Sequence, residues 1–130
     1  MSEGVIVLSH GSRNLEAQAM LEQVLLFLQA KKPEALIRGA FLEFNQPNLS
    51  QALQTMAEQG VQKILVLPLF LLLGKHILEH IPAIVSQTQK LYPGLEIKLA
   101  APLGADARIA EILWDRWQEL ESGGGKDQKY

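Results

Sequence analysis

Cysteine is absent from the 130-residue chain, which removes disulfides, thiolate zinc sites and thiol nucleophiles from consideration. An excess of one charge is missing too: twelve Lys and Arg stand against fourteen Asp and Glu, a formal net charge of −2. So even a balance offers no electrostatic footprint for nucleic acid or an anionic membrane. Long apolar runs are lacking. The longest, Ile64 to Leu73, is interrupted by Pro68 and falls far short of the ~20 residues that cross a bilayer. The opening MSEGVIVLSHG has neither the basic start nor the apolar length of an export signal. The expectation is a cytoplasmic protein with no nucleic-acid and no membrane partner.

What is present is ordinary globular material, 48% hydrophobic and 20% charged, of a length that suits one domain. Short apolar runs at Val5–Leu8, Leu36–Leu42, Ile64–Leu67 and Leu95–Leu99 read as strands. Helix-period segments separate them. Ala17, Met20, Leu21, Val24, Leu25 and Leu28 form one stripe; Leu49, Ala52, Leu53, Met56 and Ala57 form the next. A third helix over His76–Leu91 presents Ile77, Ile81, Ile84 and Val85, and a fourth carries Ile109, Ile112, Leu113, Trp117 and Leu120. Pro33, Gly60 and Pro93-Gly94 mark helix ends, and Asn48 with Gln51 reads as a capping box. Four βα units imply a three-layer α/β/α fold on a four-stranded parallel sheet of order 2-1-3-4. The domain should occupy residues 1–121, with 122–130 a disordered tail, since ESGGGKDQKY is glycine-rich and polar.

Ligands of open α/β sheets bind beyond the carboxyl ends of the strands. Three polar clusters fall there: Ser9-His10-Gly11-Ser12-Arg13-Asn14, Glu43-Phe44-Asn45-Gln46-Pro47 and Gly74-Lys75-His76. Strands one and three are neighbours in the expected order, so His10 and His76 share one rim. Each residue also has a plain structural reading. The histidines can be loop residues, Glu43 a solvated carboxylate, and Arg13 and Lys75 surface charges. Ser9, Ser12 and Asn14 can cap the first helix, and Gly11 and Gly74 can serve turns.

The string His76-Ile77-Leu78-Glu79-His80 matches the inverted zinc-peptidase motif H-x-x-E-H. That reading needs both imidazoles on one helical face and a third protein ligand, which no motif supplies. Pro82 is tolerable only near a helix start. A helix beginning near Leu78–Pro82 would leave His76 in a loop and remove the geometry.

Three stretches in order, "VIVLSHGSRN", "FLEFNQPNLSQAL" and "PLFLLLGKHILEHIP", resemble the short sirohydrochlorin chelatases of the CbiX type. The likeness runs to about Leu120 and includes "KLAAPLGADARIAEIL". It implies a chelatase-like half unit, a class II metal chelatase (a lyase) that inserts Co²⁺, Fe²⁺ or Ni²⁺ into sirohydrochlorin for cobalamin or sirohaem synthesis. The family's histidines match His10 and His76, implied to hold the metal and take up displaced protons, with Glu43 as auxiliary base. Ser9, Gly11, Ser12, Arg13, Gly74 and Lys75 are the implied contacts for the carboxylate-rich substrate. Beyond the substrate ion no cofactor is implied, neither ATP nor a redox group, and no phosphate-binding loop is present. Long members resemble two fused units, which implies a homodimer here. One position departs: the family usually has an acidic residue where this chain has His80, so H-x-x-E-H becomes a by-product of that change. His80 then either shapes the loop or adds an imidazole to the metal path. A non-catalytic metal or tetrapyrrole carrier using the same histidines is the other reading.

Overall fold

The computed structural model describes residues 3–123. Strand and helix alternate without exception: β1 Glu3–Ser9, α1 Glu16–Lys31, β2 Leu36–Phe41, α2 Leu49–Glu58, β3 Lys63–Pro68, α3 Lys75–Leu91, β4 Glu96–Leu99 and α4 Ala107–Glu121. The four strands form one parallel sheet in the order β2-β1-β3-β4, as the alternation implied. Of the expected tail, Ser122 and Gly123 form the turn that closes α4, and the remainder lies outside the described residues. No helix among the described residues is long and apolar enough to cross a membrane.

The central strand explains the sheet. Ile6, Val7 and Leu8 are all buried because helices lie on both sides of β1, the usual condition of a parallel strand. One face packs Ile6, Leu8, Ile64 and Val66 against Leu49, Ala52, Leu53 and Met56 of α2 and Ile81 of α3. Burial of each of the larger side chains, Ala52 excepted, contributes about 1.5–3 kcal/mol. The start of α2 is fixed by the expected capping box: Asn48 Oδ1 accepts from Gln51 N–H, and Gln51 Oε1 accepts from Asn48 N–H. Gly60, just past α2, takes a positive φ of 89°, the left-handed residue that ends the helix.

The opposite face is thinner. Val7, Ile37 and Phe41 pack on Leu21 of α1, with Val5, Leu25, Leu28 and Leu67 half-buried around them. Of the expected α1 stripe only Leu21 is fully buried, and Met20 is exposed. The larger correction concerns α4. Its stripe was expected to cover the sheet, yet α4 buries no residue and enters neither core cluster. Ile112, Leu113, Trp114, Trp117 and Leu120 all lie open. The helix is therefore set by local signals. Asp106 caps it by accepting from the Arg108 N–H, and the Arg108 guanidinium also donates to the carboxylate at 2.8 Å. Those hydrogen bonds hold the Asp106 carboxyl well below the usual carboxylate range. The cap's contribution is thus complete above the ordinary range and is lost only as pH falls through the lowered value.

Two substitutions separate these layers. Leu53→Ala, at a fully buried site, should cost about 2–5 kcal/mol in urea unfolding. Asn48→Ala, which removes the cap alone, should cost about 1 kcal/mol.

Candidate functional site at the carboxyl rim of the sheet

The β1–β2 pairing does not stop where the strands do. Ser9 is in register with Phe41, and beyond them Leu42 N–H donates to Ser9 C=O and Glu43 N–H donates to His10 C=O. These bonds fix Glu43 beside His10. Gly11 then turns the chain with φ 92°, and a methyl group there would overlap the Glu43 carbonyl. Asn45 closes the two loops on each other: its Oδ1 accepts from Ser12 N–H at 2.8 Å. Phe44 between them is held at φ 68°, unusual for a side chain branched by a ring, and carries the Arg13 guanidinium 5.1 Å above its ring.

The product is a facing pair. His10 Nε2 lies 3.4 Å from Glu43 Oε1, with both side chains about half exposed. On its other edge His10 Nδ1 is 3.2 Å from Gly11 C=O. The Gly11 carbonyl and the Glu43 carboxylate can both only accept, so a neutral ring has one N–H for two acceptors, and a proton or a cation between Nε2 and Oε1 completes the arrangement. Phe70, just after β3, packs edge-on against the imidazole at 6.3 Å between ring centroids and joins the main core cluster beneath. It supplies an apolar wall to the pair.

His76 is at the same rim but is not part of this pair. It occupies the first turn of α3, and no hydrogen bond or ion pair links it to His10 or Glu43 among the described residues. Its ring lies parallel to that of His80, with planes 2° apart and centroids at 6.5 Å. The helix thus starts before His76, and the i, i+4 geometry survives. Pro82 sits in the third turn rather than the first, where it removes the backbone bond to Leu78 C=O. Among the described residues no three His, Asp or Glu side chains gather as a metal cluster, so a peptidase zinc site lacks its third ligand.

The remaining candidate residues divide by exposure. Ser9 is buried and its backbone accepts from Leu42. The hydroxyl of Ser12 accepts from Asn14 N–H, and Asn14 Oδ1 accepts from Glu16 N–H, so these side chains shape the entry to α1 while Leu15 occupies the cap position. Arg13 and Lys75 are exposed at the rim. Gly74 has φ −65° and nothing within 4 Å of a notional Cβ, so its backbone would accept any side chain. Sequence reading assigned no role to Phe70, Phe44 or Asn45. An asparagine two residues after Glu43, directly before Gln46-Pro47, was the one available signal of a side chain bridging loops.

The fold places the chain among open parallel α/β proteins whose ligands meet the carboxyl rim of the sheet. Within that class it belongs to the CbiX family, whose pattern matches residues 4–120. It is 37% identical over 117 residues to a sirohydrochlorin cobaltochelatase of Sulfurisphaera tokodaii, covering 90% of this chain and 92% of that protein. A chloroplastic sirohydrochlorin ferrochelatase of Arabidopsis thaliana is 29% identical over 121 residues, which cover 93% of this chain and 54% of the plant protein. The sirohydrochlorin chelatase SirB of Bacillus subtilis subspecies spizizenii, solved in complex with cobalt, superposes with a TM-score of 0.83 at 26% identity. That match covers 92% of this chain and 51% of SirB. The chain therefore spans about half the length of the plant and Bacillus proteins and nearly all of the archaeal one.

Replacing Gly11 tests how the pair is built. Gly11→Ala should destabilise the fold by about 1 kcal/mol or more, because the φ is unfavourable and the space is taken. Amide NMR shifts should change most in residues 9–13 and 41–46; changes spread evenly over the sheet would contradict the loop contact described.

Proposed function

We propose that this CbiX-family chain is a sirohydrochlorin chelatase that inserts Co²⁺ or Fe²⁺, and on the same chemistry Ni²⁺, into the tetrapyrrole. The observation that carries the reading is the His10 Nε2–Glu43 Oε1 pair, two donors 3.4 Å apart at an open rim. Metalation requires two pyrrole N–H protons to leave while the ion sheds water and enters the ring. An imidazole is a borderline ligand for these ions and accepts a proton near neutral pH; a carboxylate beside it stabilises either charge. His10 and His76 hold the incoming ion and take up protons, with Glu43 as auxiliary base. Few ligands and half-exposed side chains suit a site that releases its ion, whereas a closed tetrahedral cage would retain it. Arg13, Lys75, the Ser12 hydroxyl and the backbone N–H groups of Gly11 and Gly74 meet the substrate's carboxylates. Ion and ring are both substrates, and no resident cofactor enters. A cytoplasmic site of action belongs to the same reading.

The active form is a homodimer. A single unit offers a shallow rim to a broad, flat ring, and its α4 stripe with Leu71 and Leu72 stays exposed. The cleft between them, about 560 Å³, is lined almost wholly by apolar atoms from Leu71, Leu72, Ile109, Ala110 and Leu113. A polycarboxylate has no reason to enter it; a second copy's apolar face does. Relatives about twice this length fit the same arrangement.

The test is optical. Adding Co²⁺ or Fe²⁺ should shift the sirohydrochlorin spectrum with protein well below stoichiometric. A non-catalytic carrier would change it only in proportion to protein. His10→Ala and His76→Ala should each lower the rate by about 10²-fold or more with the fold intact, and retained rates in both would refute the assigned roles. In sedimentation the wild type should run at twice its 14.4 kDa monomer mass, and Leu113→Glu should convert it to monomer.

A further inference from the structure

We infer that His76 and His80 together form a two-imidazole entry clip for a divalent, nitrogen-preferring ion, distinct from the His10–Glu43 pair. The two residues are one helical turn apart on α3, with parallel rings 6.5 Å apart, and both are exposed to solvent. The backbone beneath them is held in place: Ile81 is fully buried and Ile77 packs on the same core, so the adjacent face keeps its aim. An ion about 2.0–2.1 Å from one nitrogen of each ring can be bridged by side-chain rotation alone, leaving the helix unmoved. Water completes the coordination, because no third His, Asp or Glu joins the cluster among the described residues.

The donor chemistry selects the ion class. Two imidazoles favour Co²⁺, Ni²⁺, Zn²⁺ and Cu²⁺ over Mg²⁺ and Ca²⁺, which prefer oxygen. The hold is also weak by construction. His76 lies near the positive end of the α3 dipole, which opposes a cation, while Glu79, at i+3 from His76, partly offsets it. A site of this kind captures without trapping. His76 is the ligand common to both steps: the ion arrives between His76 and His80, then exchanges His80 for His10 and Glu43 as it moves to the ring. Ligand exchange is the whole of the step, with no change in oxidation state.

The inference rests on the chelatase reading for the ion's destination, and its test does not. Ni²⁺ alone is titrated into the full chain by calorimetry, with Co²⁺ used to broaden and shift histidine-ring NMR signals. His80→Gln keeps an exposed position helical, which circular dichroism verifies. It should weaken Ni²⁺ binding at least about tenfold, as should His76→Gln, and the double variant should lose little more than either. Glu22→Gln, exposed on α1 and outside the site, should leave the affinity within about threefold of wild type, and Co²⁺ should perturb the His76 and His80 rings first. Wild-type affinity in His80→Gln overturns the clip. So does a Co²⁺ titration that perturbs the His10 ring before that of His80, which would place the ion across the rim with His80 a bystander. The metalation assay on wild type decides the chelatase reading separately: metalation with unaltered Ni²⁺ binding in His80→Gln fails the clip alone, and a working clip without metalation fails the reaction alone.

Discussion

The extension of backbone pairing past the ends of β1 and β2 is the constraint on which the rest of the rim depends. Two main-chain hydrogen bonds, to Ser9 and His10, carry the register of the sheet into what would otherwise be two independent loops. Sheet register is set by the buried core, by Ile6 and Leu8 against α2 and by Val7 against α1. The position of Glu43 relative to His10 is thus inherited from packing some distance below. Backbone bonds, unlike side-chain contacts, do not vary with the identity of Leu42 or Phe44. That explains how an exposed pair can be positioned without being buried: rigidity comes from the ladder, and openness is left for the ligand.

The two faces of the sheet are unequal, and the inequality has a topological source. Right-handed crossovers put α2 and α3 on one face and α1 on the other. With the order β2-β1-β3-β4, the second face over β3 and β4 is left to α4, which does not cover it. Leu65 and Leu67 of β3 remain only half-buried, and β4 is largely exposed. The chain is well packed over two strands and incomplete over the other two. Incomplete packing on this side and a shallow rim above it are both what the proposed homodimer would remedy.

Element types, strand order and the α2 stripe were legible because they depend on local periodicity and on chirality rules. So was the gathering of the three polar clusters at one rim, although the partner the structure puts beside His10 is Glu43 rather than the expected His76. Other features lay beyond such reasoning. The apolar period of α4 says that a face must be covered but not by which chain. Phe70 reads as one more apolar residue in LPLFLLL, and only the fold turns it toward an imidazole. Pro82 made an early start for α3 look costly. Helix continuity is maintained instead by Ile77 and Ile81 on the core side, while Leu78, whose carbonyl loses the Pro82 donor, is about half exposed to water. Gly74, which looked like a turn glycine, turned out to need no special backbone at all.

A helix that buries nothing within its own subunit has a thermodynamic corollary. If the proposed homodimer covers the stripe, whatever order α4 gains is gained by association, and mass action then enters the stability of the chain itself. Dilution would then loosen the carboxyl-terminal third before the β1–β2–α2 half responds, and melting would cease to be a single concentration-independent event. Abundance in the cell, rather than temperature alone, would set how much of the protein stands fully assembled.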